Sequence, residues 1–265
     1  KCPEGLYGVV RLSLSKVRES ADGHGEAAGQ AAVKMALMDP EGIPLELLSS
    51  TERQGVSLLT QHALVRVDGK GLGAMHALTQ AAVREQLTGK AERLGLAAAV
   101  VEALAEKLGK FDNMKPATHF IGRRYGRHAM AAAGHAREWG LVPGHGDAER
   151  GGARGGAGAA GDRRGAELLE SVAEMCTKAG HFFRDVCGQY GQAQGMYEMS
   201  LACHVARYGH AHTNVAVSYG NMGIVYRSQG KLEEALEAHS KALEIELKVL
   251  GPENRHVASS YSNMG

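Results

Sequence analysis

Residues 215–223 read Val-Ala-Val-Ser-Tyr-Gly-Asn-Met-Gly, and residues 257–265 read Val-Ala-Ser-Ser-Tyr-Ser-Asn-Met-Gly. Valine, alanine, tyrosine, asparagine, methionine and glycine recur at a single shift of 42 residues. Self-similarity at a fixed period is typical of repeat proteins, whose units bury their apolar faces by stacking. We therefore expect an α-solenoid over residues 166–265. The second copy stops inside a helix and the chain begins at Lys1, so we expect a fragment of a longer protein.

Length and composition narrow the class of protein. At 265 residues, two modules are favoured over one, and 44% hydrophobic residues are enough for a core. A net charge of +1 creates no field that attracts nucleic acid or membranes, so we expect neither as a partner. The four cysteines show no metal-binding spacing, which favours reduced thiols in a cytoplasmic protein. No apolar run approaches the roughly 18 residues of a membrane span.

The best-defined repeat unit consists of two predicted helices. Helix A covers residues 215–228 and ends at Gln229-Gly230, and helix B covers about 231–250 and ends at Gly251-Pro252. The small residues Gly223 and Ala235 would let the two helices approach closely. The positions that carry the pattern are Tyr219, Met222, Gly223, Tyr226, Ala235, His239 and Ala242.

This pattern resembles the tetratricopeptide repeat, with His239 in place of the usual aromatic residue in helix B. A period of 42 residues exceeds the standard 34 and overlaps the range of HEAT repeats, but the motif favours the tetratricopeptide family. The longer form is similar to the repeats of kinesin light chain and nephrocystin-like proteins.

An earlier, degenerate repeat precedes this unit. A shift of 42 residues back from helix B gives Ala193, Tyr197, Leu201 and Gly209. Its first helix, predicted over residues 168–186, fits only with a slip of one residue that brings Ala179-Gly180 onto Met222-Gly223. We therefore expect about two and a half units, without end caps.

The N-terminal 90 residues follow a different pattern. We predict helices over residues 6–17, 26–38 and 52–61, a helical piece at 43–48, and a final helix at 78–87. Residues 63–67 and 72–76 alternate around Asp68-Gly69-Lys70-Gly71, which indicates a β-hairpin. This order outlines a winged-helix-like module. The helix before the hairpin offers only Arg53 as a basic residue, which disfavours DNA binding.

Residues 36–48 (ALMDPEGIPLELL) and Met75-His76 resemble the winged-helix region of STAND-type NTPases of the NB-ARC class. The resemblance implies that His76 lies near the β-phosphate of an ADP bound to an adjoining nucleotide-binding domain, which this module would contact. In that family the histidine belongs to a Met-His-Asp motif, and here the third position is Ala77 rather than aspartate. No GxxxxGK[ST] phosphate loop occurs in the chain. The alternative is that His76 is a polar residue satisfied at the end of a strand.

Between these modules we predict a helical connector over residues 91–140, with helices at 91–109 and 119–139, and a flexible Gly/Ala/Arg-rich linker over 141–165. The linker contains a formal GxGxxG at residues 156–161. No strand precedes it, so we interpret it as a product of composition rather than a dinucleotide site.

The sequence favours a non-catalytic scaffold that binds protein or peptide partners and needs no cofactor or metal. His210-x-His212 lacks the further ligands of a metal site. The predicted partner-binding residues are Gly220, Asn221, Ile224, Arg227, Ser228 and Asn263. The alternative for Asn221 is a structural role, in which it bonds to the backbone of a neighbouring helix. The alternative for Arg227 is that it is simply solvated.

Two other functions stay open. One is the regulatory part of a STAND-type signalling ATPase whose phosphate-loop domain is missing from this chain. The other is a cargo adaptor like kinesin light chain, although residues 1–140 lack the heptad coiled coil of that family.

Overall fold

The computed structural model describes residues 4–20, 23–143 and 163–264. Within these ranges the chain is mainly helical and divides into two compact units, residues 1–104 with 127–135, and residues 105–126 with 136–265. Helices α5 (Lys90–Gly109) and α6 (His119–Glu138) contribute residues to both units. Of the predicted linker, residues 144–162 lie outside the described part, and so does the GxGxxG stretch at 156–161.

The first unit contains four further helices and a small sheet. The helices are α1 (Glu4–Arg18), α2 (Gly25–Met35), α3 (Ser50–Gln61) and α4 (Ala77–Glu85). The strands β1 (Ile43–Pro44), β2 (Arg66–Val67) and β3 (Leu72–Ala74) form an antiparallel sheet in the order β1-β3-β2.

The predicted hairpin is confirmed and is held by its turn. Asp68 Oδ1 accepts hydrogen bonds from the backbone N–H groups of Lys70 and Leu72, each at 2.8 Å. Gly71 has φ +74°, a left-handed conformation that glycine adopts without steric cost. The turn therefore fixes the pairing of β2 with β3.

The helical prediction for residues 43–48 is wrong. Ile43 and Pro44 form β1, and only Leu45–Leu47 make a single 3-10 turn. Proline disfavours the helical conformation in the residue before it, so Ile43 is extended and pairs with Gly73 of β3. The sequence pattern missed the third strand because its two residues are too few to show a period.

Helix α2 ends at Met35, three residues before the predicted end at Met38. Gln80 Nε2 donates to the carbonyl oxygens of Met35 and Met38, at 3.0 and 3.1 Å, and Arg84 Nη1 donates to that of Ala36. These long-range donors satisfy carbonyl groups that would otherwise lack partners at a helix end.

The second unit contains the repeat helices. They are α7 (Arg163–His181), α8 (Tyr190–Tyr208), α9 (Thr213–Ser228), α10 (Leu232–Leu250) and α11 (Arg255–Met264). A π-helical turn, Phe182–Val186, follows α7, and a 3-10 turn, Pro116–Thr118, precedes α6. Helix α7 packs on α8, α8 on α9, α9 on α10, and α10 on α11.

The repeat period is visible in the backbone. Helices α8 and α10 have the same length of 19 residues and the same bounds at a shift of 42. Gly209 and Gly251, which follow these helices, have φ of +77° and +79°. Because a residue with positive φ after a helix is usually glycine, glycine recurs at the end of each of these helices.

Candidate partner-binding face

Each repeat has a glycine in its first helix that faces a buried ring in its second. A Cβ added to Gly223 would lie 2.6 Å from the His239 ring, and one added to Gly180 would lie 2.6 Å from the Tyr197 ring. The predicted close approach at Gly223 is thus confirmed, and Gly180 takes the same role in the earlier repeat.

The two rings differ in chemistry although their positions match. Tyr197 has no exposed surface, and its hydroxyl has no hydrogen-bond partner among the described residues. His239 is also buried, and its Nε2 has no such partner. Burial, and then the nearby charge of Arg227, lower the pKa of His239 below its usual value. The neutral ring is therefore the stable form inside the second repeat.

The predicted one-residue slip in the first repeat has a structural cause. Gly180 and Gly223 are 43 residues apart, whereas Gly188 and Gly230, which follow the first helices with positive φ, are 42 apart. The π turn between Gly180 and Gly188 holds the extra residue, since Cys187 N–H donates to Phe182 O across five residues. A π turn absorbs one residue without shifting the helix that precedes it.

Matching polar pairs join the successive repeats. His204 Nδ1 lies 3.0 Å from Ser218 Oγ, and 42 residues later Ser260 Oγ donates to Glu246 Oε2 at 2.7 Å. All four side chains are buried. Sequence reasoning missed these pairs, although the recurrence of serine at positions 218 and 260 was the available signal.

The predicted partner-binding residues lie along one side of α9. Gly220 is partly exposed, and a Cβ added there would meet no atom within 4 Å. Ile224 is partly exposed, Arg227 and Ser228 are exposed, and Ser228 Oγ donates to Ile224 O at 2.9 Å. Asn263, in α11, is partly exposed. We call the side of α7, α9 and α11 that carries these positions the first-helix face.

Asn221 is held by the preceding repeat. Its Oδ1 lies 3.5 Å from Arg184 Nη1, and its side chain also hydrogen-bonds to His181. The residue is partly exposed, so one edge of the amide still reaches solvent. Both contacts go to side chains of the preceding repeat, so Asn221 has a structural role as well as an edge open to a partner.

The equivalent face of α7 holds another segment of the same unit, residues 111–115. The Phe111 ring packs edge-on against Phe182, with centroids 5.9 Å apart. Asn113 Nδ2 donates to Asp185 Oδ2 at 2.6 Å, and Lys178 Nζ lies 3.5 Å from Phe111 O. Phe111 is buried and anchors the segment, whereas Met114 and Lys115 are exposed.

A shift of 43 residues relates this docking site to α9. Lys178 and His181 of α7 correspond to Asn221 and Ile224 of α9. Sequence reasoning did not select Lys178 or His181. The 43-residue shift from Gly180 to Gly223, applied to the predicted positions Asn221 and Ile224, leads to Lys178 and His181.

Two neighbouring cavities lie between residues 105–115 and the first-helix face. The first, of about 360 Å³, is lined by Glu170, Glu174, Asn214 and Val217 among others. The second, of about 420 Å³, is lined by three lysines, Lys110, Lys115 and Lys178, by His181, and by one carboxylate, that of Asp112. Gly109 and Lys178 belong to both cavities. We call the first the acidic compartment and the second the basic compartment.

The basic compartment has a positive electrostatic environment. Burial lowers the pKa of His181 to about 4, and the charges of Arg184 and Lys178 act in the same direction. Arg184 is itself paired with Asp185, at 2.5 Å between Nε and Oδ1. At neutral pH His181 is therefore uncharged, and the lysines supply the positive charge of the compartment.

His76 lies at the start of α4 in the first unit. Its Nδ1 accepts a hydrogen bond from Leu78 N–H at 3.2 Å, which makes it the N-cap of that helix, and its side chain is exposed. The preceding Met75 is fully buried. This is the arrangement of a polar residue satisfied at a strand end, and the nucleotide-sensor role stays a prediction.

In the described part of the chain, no group of three His, Cys, Asp or Glu side chains is arranged to hold a metal ion. In the same residues, no helix has the length and apolar character needed to cross a membrane. Burial raises the pKa of the Cys176 thiol to about 12, and Cys203 is also fully buried with a raised pKa. Neither thiol has the lowered pKa of a reactive nucleophile.

Residues 171–248 and 221–265 match the tetratricopeptide repeat family. No curated protein matches the chain. The C-terminal region is therefore a tetratricopeptide-repeat region, as the motif predicted, and its helices α7 to α11 are the repeat helices.

Proposed function

We propose that this protein is a non-catalytic interaction scaffold that binds partner peptides along its first-helix face. Tetratricopeptide arrays present their first helices along one extended surface, and such surfaces bind peptide segments. The match to this family over residues 171–265 supports a binding role.

One observation carries the proposal. The chain's own residues 111–115 contact Lys178 near the end of α7 and Phe182 and Asp185 in the π turn that follows it. Positions equivalent to Lys178 and His181 recur on α9 as Asn221 and Ile224, and both are partly exposed. The part of this face that lies on the helix itself is therefore repeated on α9, where these two positions are open to a partner segment.

The side chains of α9 suit an extended peptide. Gly220 leaves room for a close backbone approach, and Ile224 offers apolar surface. Asn221 and Ser228 can hydrogen-bond to a peptide backbone, and Arg227 can pair with an acidic side chain. Asn263 extends the same pattern onto α11.

Selection from a phage-displayed dodecapeptide library against the full chain tests the proposal. We expect the selected peptides to lose affinity by about ten-fold with Ile224→Asp and with Arg227→Glu. The matched control, Glu244→Lys, changes an exposed residue of α10 and should leave affinity unchanged. Equal affinity for all four proteins would place the binding site elsewhere and contradict the proposal.

The absence of catalysis is tested separately. The purified chain should release no phosphate from ATP or GTP above the background without protein, because it lacks a phosphate loop. Turnover that disappears with His76→Ala would contradict a non-catalytic role.

A second candidate is the regulatory part of a STAND-type signalling ATPase. It is favoured by the order of elements in the first unit, where α2, β1, α3, the β2–β3 hairpin and α4 follow the outline of a winged helix. The exposed His76 beside the buried Met75 fits a module that faces a nucleotide-binding domain. Under this candidate, the repeats and the winged helix would hold that domain inactive.

The reading frame upstream of Lys1 tests this second candidate. An in-frame GxxxxGK[ST] motif would support it, because that loop cradles the phosphates. Its absence from the complete frame would rule the candidate out and leave the scaffold proposal unaffected.

A further inference from the structure

The two compartments differ in charge although they adjoin. Glu170 and Glu174 line the acidic compartment, and Lys110 and Lys115 line the basic one, with Lys178 at their boundary. Gly109 lies at the same boundary, and a Cβ added there would meet no atom within 4 Å. Gly109 therefore offers no side chain that would separate the two compartments at this point.

The acidic compartment fits a basic side chain. The Tyr208 hydroxyl donates to Glu170 Oε2, which holds that carboxylate in place, and Glu174 is exposed. Val217, on the same lining, is 50% exposed. Lysine and arginine combine a charged end with an aliphatic stem, so the carboxylates and the valine suit the two parts of such a side chain.

The basic compartment fits an anionic side chain. Lys115 pairs with Asp112 at 3.1 Å and Lys110 with Glu106 at 3.5 Å, but both pairs are solvent-exposed. Exposed ion pairs of this kind contribute little, so the lysines can turn to a ligand at small cost. With Lys178, three ammonium groups line this compartment against the single carboxylate of Asp112.

We propose that the cleft binds a partner segment that carries a basic side chain and, a few residues away, an acidic side chain, in one direction only. The proposal rests on the peptide-binding role proposed above and specifies its partner. Reversing the segment would place like charges together at both ends, and such contacts suppress the wrong orientation.

A peptide array tests the proposal on the full chain. The probes are dodecapeptides of serine and alanine that carry a Lys-Leu pair and a Glu-Glu pair, separated by two to six serines, in both orders. Further arms carry only one of the two pairs, or phosphoserines in place of the glutamates. We expect one order to bind at least about ten-fold more tightly than the other and than the single-pair probes. The phosphoserine arm shows whether a carboxylate or a phosphate is preferred.

Charge reversal in the protein gives the decisive result. The double variant Glu174→Lys/Lys115→Glu changes two exposed side chains, offsets the charge of Glu170 in one compartment and of Lys110 in the other, and should abolish the preferred order of the probes. The control double variant Glu167→Lys/Lys248→Glu makes the same charge changes at exposed positions outside both compartments and should keep the original preference. Circular dichroism of each variant checks that it is folded.

The outcomes separate the two proposals. Probes that bind without a preferred order, or with an order that the double variant leaves unchanged, overturn the bipolar cleft. In that case, weakening of the same binding by Ile224→Asp keeps the first-helix face as a peptide site. If no probe binds and the library selection also fails, both proposals are wrong.

Discussion

The two repeats have matching helices but differ in the side chains buried between them. Helices α8 and α10 coincide at a shift of 42 residues, and a glycine faces a buried ring in each pair of helices. The ring is Tyr197 in the first repeat and His239 in the second, and the polar partner of the interfacial serine is His204 in one and Glu246 in the other. Only the first repeat has a π turn.

This difference separates what the fold requires from what it tolerates. Close approach of the helices requires glycine at positions 180 and 223, because no side chain fits against the ring. The identity of the buried ring can vary provided that its size is preserved, and the identity of the polar partner can vary provided that it still bonds to the serine. Three experiments would break or sharpen the comparison.

The largest effect should come from filling the glycine positions. Gly180→Val and Gly223→Val would each drive a side chain into a buried ring, and we expect each to lower the free energy of unfolding by about 3 kcal/mol. Urea denaturation followed by circular dichroism measures this. If either repeat accepts valine without loss, the two are not held together in the same way.

Gly220→Ala is the matched control. It lies on the same helix but faces open space, so helix propensity should raise the free energy of unfolding by up to about 1 kcal/mol. A loss at this position would mean that the first-helix face is covered.

The second effect is a loss of stability in acid. The pKa values of His181, His204 and His239 are all lowered, in each case first by burial. The unfolded chain therefore binds protons that the folded chain does not, and the free energy of unfolding falls as the pH drops below about 6.5. For His181, with a folded pKa of about 4, the loss at pH 5 should be about 2 kcal/mol.

Urea midpoints at pH 7.5, 6 and 5 measure this dependence. The variant His181→Gln should remove a large part of it, whereas His210→Gln, at an exposed position, should leave it intact. Because the pKa of His181 is lowered as far as about 4, whereas no such large shift marks His239, His239→Phe should have a smaller effect than His181→Gln. The opposite ranking would show that the second repeat is the acid-sensitive one.

The smallest effect should come from removing the π turn. Deleting Val186 would give the first repeat the spacing of the second. The hydrogen bond from Gln189 N–H to Phe183 O would then correspond in spacing to the bond from Lys231 N–H to Tyr226 O in the second repeat. We expect thermal melting to show a change within about 1 kcal/mol. Deleting Gly220 from the middle of α9 should instead unfold the module, since every later residue would rotate away from its partners. A collapse caused by the Val186 deletion would show that the π turn is itself required.

The sequence predicted the repeat region well because its signals are local and recur. The glycines at 209, 230 and 251, the tyrosine at 219 and the helix ends all follow from backbone geometry and close packing. The third strand and the early end of α2 could not be predicted, since they depend on partners more than 25 residues away, Gly73, Gln80 and Arg84.

Only the α9 part of the candidate site could be predicted from the sequence, for the same reason. The positions on α9 followed from repeat geometry, but the cleft is formed together with residues 105–115, which the sequence places far from α7. Tertiary contacts of this kind produce no periodic pattern in the sequence. The two compartments and their opposite charges therefore emerge only from the folded chain.

The extra residue of the π turn has a consequence for how such arrays can change in length. It lies between the end of a helix and a glycine that resets the backbone, so neither the ring contact at Gly180 nor the start of α8 moves. A single-codon insertion there is absorbed locally. Repeat length in this protein can thus change by one residue at the helix end while the stacking order of the helices stays the same.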